Sequence, residues 1–254
     1  MSNQPLKHGT LIVTGASRGI GASIAKLAGL HGYAVAVNFR DDFAAAANVV
    51  GQITSAGGKA CSIRADVAQE DDILRLFETA ERELGPIVGL VNNAGITSGF
   101  SRVEAVSAEA VWQVLRVNVA GTILCAREAV RRMSIRNGGS GGAIVNISSR
   151  ASQIGGAGEW VHYSASKGAV DSFTIGLARE VAAEGIRVNA VSPGLIDTEI
   201  HAASGAPDRI HRLASSIPMQ RAGAASEVAE AVLWLLSPAA SYTSGTILQV
   251  SGGR

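Results

Sequence analysis

Thr10-Leu-Ile-Val-Thr14, followed at once by Gly15, Gly19 and Gly21, constrains this chain more than any other stretch. The first five residues read as a short buried strand, and Ile20, Ile24, Leu27 and Ala28 then recur at helical spacing. A strand that turns through glycines into a helix lets backbone approach a neighbour closely. It also presents the unpaired N–H groups and positive dipole end of a helix N-terminus. Together these make a phosphate-binding device. The spacing is Gly-x-x-x-Gly-x-Gly, a departure from the commoner Gly-x-Gly-x-x-Gly dinucleotide fingerprint.

The alternation continues along the chain. Strand-like apolar runs fall near 10–14, 34–38, 59–64, 87–92, 142–148, 186–192 and 246–250, with helical stretches near 19–31, 42–56, 70–84, 107–134, 161–184 and 226–237. This pattern predicts an α/β fold: a Rossmann-like, doubly wound, mostly parallel seven-stranded sheet with helices on both faces. The 254 residues read as one domain, 1–254, with a polar tail at 1–8 and an irregular insertion at 195–225 suited to a lid over a substrate. Ligands in such sheets sit beyond the carboxyl ends of the strands, where the strand order reverses. Gly15, Asp66, Asn92, Ser149 and Pro193 stand at those predicted ends, so one sheet edge gathers them.

Tyr163-Ser-Ala-Ser-Lys167 puts a phenol and an ammonium four residues apart, which on a helix places them on one face. A free tyrosine titrates near ~10 and a lysine near ~10.4. A cation beside the phenol favours phenolate, so the pair predicts a lowered Tyr163 pKa and proton exchange with a carbonyl or alcohol near neutral pH. Taken alone, the same spacing also fits an ordinary surface helix.

Thr14-Gly-Ala-Ser-Arg-Gly-Ile-Gly21 together with Tyr163-x-x-x-Lys167 resembles the short-chain dehydrogenase/reductase (SDR) family in its single-domain form. The resemblance runs from about residue 9 to residue 254 and includes, in the family's order, Asp66-Val67, Asn92-Asn-Ala-Gly95, Asn118, Ser149 and Pro193-Gly194. It implies an oxidoreductase that moves a hydride between a nicotinamide cofactor and a carbonyl or secondary alcohol, similar to NADP-dependent carbonyl and β-ketoacyl reductases. By resemblance, Tyr163 gives the proton in reduction and takes it in oxidation. Lys167 lowers its pKa and binds the nicotinamide ribose. Ser149 holds the carbonyl oxygen, and Asn118 supports a water-linked proton path from the lysine; Asn118 also fits a structural asparagine at a helix kink. Cofactor contacts are implied for Gly15, Ser17, Arg18, Gly19, Ile20, Gly21, Asn38 and Arg40, for Asp66 and Val67 near the adenine, and for Asn92, Ala94 and Gly95. Pro193, Gly194, Ile196 and Thr198 would close over the nicotinamide and diphosphate.

Ser149 precedes Tyr163 by 14 positions, one more than the commoner family spacing. The extra residue is assigned to the loop Gly155–Trp160, and Ser148 and Ser152 are rivals for the serine's role. The second predicted strand ends in Asn38, not in the acid that usually holds an NAD ribose. Arg18 and Arg40 suit a 2′-phosphate, which favours NADP(H) over NAD(H), with Asp41 and Asp42 read as caps of the next helix.

Net charge is +1 and 47% of residues are hydrophobic, so nothing points to nucleic acid as a partner. No apolar run reaches the roughly 18 residues of a membrane span and no charged-then-apolar leader opens the chain; a cytoplasmic location is expected. Cys61 and Cys125 read as reduced thiols, and the five histidines form no metal-ligand cluster, so no metal is expected. Val228–Leu236 is apolar around most of its circumference, which, with the family's habit, predicts a homotetramer. Arg127, Arg131, Arg132 and Arg136 offer a basic helix end that could dock acyl carrier protein. This keeps 3-oxoacyl-[acyl-carrier-protein] reduction as an alternative; a non-catalytic NADP(H) sensor is a more distant one.

Overall fold

The computed structural model describes residues 9–199 and 208–254. The predicted tail at 1–8 and residues 200–207 of the predicted lid lie outside the described residues. Nine strands are present among them: β1 (Thr10–Val13), β2 (Ala34–Phe39), β3 (Lys59–Arg64), β4 (Ile87–Asn92), β5 (Gly142–Ile147), β6 (Ile186–Pro193), β7 (Ile196–Asp197), β8 (Gly223–Ala224) and β9 (Ile247–Val250). The helices are α1 (Gly19–Leu30), α2 (Phe43–Ser55), α3 (Glu70–Leu84), α4 (Ala108–Leu115), α5 (Thr122–Met133), α6 (Ala151–Ile154), α7 (Val161–Val181), α8 (Arg209–Leu213) and α9 (Ala225–Leu236).

Seven strands form one parallel sheet in the order β3-β2-β1-β4-β5-β6-β9, and β7 pairs with β8 apart from it. The order reverses between β1 and β4, which fixes the crevice where ligands of doubly wound sheets lie. Both faces are covered, as the near-continuous apolar strands require. Leu11 and Val13 of β1 pack with α1, α2 and α9 on one face, while Ile12 between them packs with α3, α5 and α7 on the other; all three are fully buried. Period-two alternation within one strand thus feeds two separate cores.

Several helix ends follow local chemistry. Glu70, Asp71 and Asp72 in the first turn of α3 complement its positive dipole end, and Gly85, at φ 101°, ends it. The Glu227 carboxylate accepts from the Ala224 N–H at the start of α9, 2.8 Å away. At the other end, Arg187 donates to the carbonyls of Leu235, Leu236 and Ser237.

One expectation needs correction here, and the setting of another is now visible. The stretch 107–134 is not one regular helix, because a π turn at 116–121 separates α4 from α5. Gly121 in that turn packs against Val67, where an added Cβ would lie 2.7 Å from the Val67 carbonyl. The all-round apolarity of Val228–Leu236 is met mostly inside the monomer: Val228, Ala229, Val232, Leu233, Leu235 and Leu236 are buried in the same core as α1, and Trp234 is the exposed large residue.

Candidate active site

A chain of hydrogen bonds builds the glycine turn. The Asn38 amide oxygen accepts from the Gly15 N–H, and its NH2 donates to the carbonyls of Ile63 and Ala65, tying the ends of β2 and β3 to the turn. Thr14 Oγ1 accepts from the N–H groups of Asn93 and Ala94, while Asn93 Nδ2 donates back to the Thr14 and Gly15 carbonyls. Gly15 and Gly19 sit at φ +60° and +54°, which only glycine adopts freely. A Cβ added at Gly21 would lie 2.4 Å from Asn93 Nδ2 and 2.5 Å from the Gly15 carbonyl. Arg18, extended at the N-cap of α1, leaves the helix's first amides without a side-chain cap. Open amides facing a glycine cradle fit a diphosphate.

The turn opens on a cavity of about 1070 Å³ that crosses the carboxyl edge of the sheet. Its lining runs from Arg40 and Asp66, past Gly15 to Gly21 and Ala94-Gly95, to Ser149, Tyr163 and Lys167. Ser17, Arg18, Ile20, Asn38, Val67, Pro193, Gly194, Ile196 and Thr198 line it too, so almost all the expected cofactor residues meet in one space. Thr198 lies against Gly19, its Cγ2 3.5 Å from where a Cβ would stand.

At the far end, the Tyr163 phenol and the Ser149 side chain line the same part of the cavity, near enough for the serine to favour the ionised phenol. Of the rival serines, Ser148 directs its hydroxyl to the Lys167 carbonyl and Ser152 to the Ser149 carbonyl, and Ser152 is outside the cavity lining. In the loop to which the additional residue before Tyr163 is assigned, Gly155, Gly156 and Gly158 all have positive φ. Lys167 is buried; its Nζ donates to the Ile147 carbonyl at 2.7 Å and stands 5.8 Å from the centre of the Tyr163 ring. Burial lowers its pKa to about 8, against an opposing pull from Asp171. The expected fall in the Tyr163 pKa is not found: burial pushes the phenol up, and the Ser149 hydrogen bond offsets this in part. One of the ammonium's three donors goes to that backbone carbonyl, and the charge sits over the tyrosine ring without bonding the phenol.

One of the expected asparagines sits elsewhere, and another lies beside the lysine. Asn92 is turned into the protein, donating to the Thr122 carbonyl and to Asn146 Oδ1, and it does not line the cavity. Its neighbour Asn93, just past the end of β4, takes the place at the sheet edge. Asn118, fully buried in the π turn, clamps Ile96 by accepting from its N–H and donating to its carbonyl, both at 2.9 Å. It also donates to Ser166 Oγ, which in turn donates to the Tyr163 carbonyl. Its side chain therefore positions the 96 segment and α7, and its amide oxygen and Lys167 Nζ lie 3.4 and 3.5 Å from the point where a Gly95 Cβ would stand. At the adenosine end, Asp42 caps α2 through the Ala45 N–H, whereas Asp41 is ion-paired to Arg40 at 2.6 Å. Trp160, which flanks Tyr163 in sequence, lines the cavity and His162 does not; sequence reading missed the wall around it: Glu159, Arg209, Leu213 and Arg254.

Among the described residues there is no group of His, Cys, Asp and Glu fit to hold a metal, and no helix is long and apolar enough to cross a membrane. Cys125 is buried, with its thiol pushed up to about 12, and Cys61 is half-buried; both are free.

A family model described as enoyl-(acyl carrier protein) reductase matches residues 15–254. The chain is 52% identical to an uncharacterised oxidoreductase, YgfF, of Escherichia coli over 96% of its own length and 98% of that protein. It is 41% identical to glucose 1-dehydrogenase 2 of Bacillus subtilis, over 96% of the chain and 93% of the relative. A crystal structure of a short-chain dehydrogenase from Burkholderia cenocepacia in complex with NADP superposes with a TM-score of 0.90 at 31% identity, covering 98% of this chain and 99% of that one.

Proposed function

The chain belongs to the short-chain dehydrogenase/reductase family of nicotinamide-dependent oxidoreductases acting on alcohol or carbonyl groups, and from that premise we propose an NADP(H)-dependent carbonyl reductase with Tyr163 as its acid and base. The observation that carries the reading is the Tyr163 phenol beside the Ser149 hydroxyl, at one end of a cavity whose other end is the glycine turn. When bound, the reduced nicotinamide supplies the hydride. The Ser149 hydroxyl donates to the substrate's carbonyl oxygen and stabilises the negative charge that grows there. Tyr163 is protonated at neutral pH, because burial holds its pKa up, and it delivers that proton to the same oxygen. Lys167, with Nζ at the cavity wall, contributes a positive charge beside the phenol that favours the tyrosinate left behind.

NADP(H) is preferred because the adenosine end carries the guanidiniums of Arg18 and Arg40 and no acid at the end of β2. Asp41, paired to Arg40, is the residue that would have to release it for a 2′-phosphate. We assign the protein to the cytoplasm as a homotetramer. The basic helix end offers a carrier protein little free charge: Arg127, Arg131, Arg132 and Arg136 are all ion-paired, to Glu70, Glu81, Glu128 or Glu184. The sensor reading has no use for a serine–tyrosine pair.

The test is NADPH oxidation over a panel of aldehydes, sugar ketones, diketones, steroid ketones and acetoacetyl thioesters, with NADH and Tyr163→Phe as controls. NADPH turnover with at least one class, lost in Tyr163→Phe while NADPH still binds, is the expected result. Undiminished turnover by Tyr163→Phe would overturn the assignment.

A further inference from the structure

The wall opposite Tyr163 carries a charge arrangement that hydride transfer does not use. Arg209, at the start of α8, is only 4% exposed yet lines the cavity. Its guanidinium lies over the Trp160 ring, 4.6 Å from the centroid, and 5.3 Å from that of Phe100, two rings that are themselves stacked at 4.6 Å. Nη1 donates to Glu159, while the buried Nε has no partner among the described residues. An arginine usually meets a carboxylate with two parallel donors, so one donor remains unused on a group that cannot reach bulk water.

Arg209 is not alone. Arg254 and Arg150 line the same end, and Arg150 Nε is bonded to the Arg254 carbonyl oxygen at 2.6 Å. Burial first, and then Arg209 beside it, hold the Arg254 guanidinium below its ordinary pKa, with Glu159 pulling the other way. The remaining acids on the cavity wall are distant from this group in role: Glu199 lies by Gly19 at the glycine turn, and Asp41, Asp42 and Asp66 lie with Arg40 at the adenosine end. Arg209 and Arg254 therefore share one carboxylate, Glu159, while Arg150 is held by the Arg254 oxygen, beside the apolar Trp160, Ile154 and Leu213. Clustered like charges in an apolar pocket are costly until an anion joins them, and an apolar wall favours a monoanion over a more strongly hydrated dianion.

We propose that this end of the cavity is a subsite for a substrate carboxylate, held by Arg209 and Arg254, and that the enzyme acts on oxo acids and hydroxy acids. Trp160 touches both groups, its ring 4.6 Å from the Arg209 guanidinium and 5.4 Å from the Tyr163 ring. The carboxylate is thus separated from the reacting carbon by about an indole's width. Compounds with several bonds between the two groups fit, and 2-oxo acids do not. The location of the reacting carbon rests on the reductase reading; the anion subsite does not.

A binding experiment separates the two. Benzoate and cyclohexanecarboxylate are titrated calorimetrically into the full-length protein saturated with NADP+, against benzamide and cyclohexanecarboxamide. Each acid is expected to bind at least ~10-fold more tightly than its amide, a difference of about 1.4 kcal/mol. Arg209→Gln should erase the difference with NADP+ affinity unchanged, and Arg254→Gln should reduce it. Acids and amides binding alike to the wild-type protein, or a preference that survives both substitutions, would overturn the subsite. An acid preference that depends on Arg209, in a protein whose turnover survives Tyr163→Phe, would instead leave the subsite standing and remove the reductase assignment.

Discussion

Lys167 is buried, charged at neutral pH and close to losing its proton, because desolvation brings its pKa down to about 8. The protonated lysine is the form that assists Tyr163. Reductase kcat/KM, which reports ionisations of the free enzyme, should therefore fall as pH rises through about 8. Tyr163 adds no second break in that range, since burial moves the phenol upward. A pH profile of wild type and Lys167→Met checks this: the variant should be slower and lack the decline near pH 8. The serines divide as sharply. Ser149→Ala should cost roughly 10²–10³-fold in kcat, the usual cost of losing a donor to a developing oxyanion. Ser148→Ala should cost far less, because its hydroxyl addresses the Lys167 carbonyl. That Ser149, Tyr163 and Lys167 meet at one cavity was legible from Tyr163-x-x-x-Lys167 and Ser149, even with the additional residue between them. The sense of the Tyr163 pKa shift was not. Sequence spacing puts two side chains on one helix face, but it says nothing of how deeply both are buried or which carbonyl captures the ammonium.

At the scale of elements, the turn between β1 and α1 and the turn between α4 and α5 hold the site in place. Gly21→Ala would drive a methyl into Asn93 Nδ2 and the Gly15 carbonyl. The carbonyl cannot move without breaking the cradle, so a stability loss of about 1–3 kcal/mol is expected, with weaker NADPH binding, read by thermal melting and titration. Asn118→Ala removes the bonds to Ile96 and Ser166. Leaving the Ile96 backbone groups unpaired in a buried setting should cost about 1–3 kcal/mol, and kcat should fall with little change in solvent accessibility at the glycine turn. Strands and helices were readable because apolar periodicity reports burial directly. The π turn was not, because a single wide turn hardly disturbs the pattern of a long helical stretch, and Gly121 shows its purpose only once Val67 is beside it. Asn92 and Asn93 illustrate the same limit: a shift of one residue at a strand end decides which amide faces the core and which the cavity.

For the whole molecule, strand order alone puts the glycine turn, the Asn93–Gly95 segment, Ser149 and Pro193 on one edge, and this much followed from the alternation of elements. The cluster of Glu159, Arg209 and Arg254 around Trp160 did not, since it draws together a loop, a short helix and residue 254, which are far apart in sequence and carry no periodic signal. Assembly is a separate matter. Most of the apolar surface of α9 is consumed inside the monomer, yet Trp112, Trp234 and Tyr242 remain exposed. Sedimentation of the 26.0 kDa chain should give a homotetramer, and a lone monomer peak would contradict that proposal. The central claim is that this cavity moves a hydride to a carbonyl carbon under protonation by Tyr163. Its most direct test is to supply NADPH deuterated at the transferable position with a substrate found in the panel, and to analyse the product by mass spectrometry. One deuterium on the new carbinol carbon with wild type, and no product with Tyr163→Phe, is the predicted result; product without the label, or labelled product formed equally well by Tyr163→Phe, would contradict it.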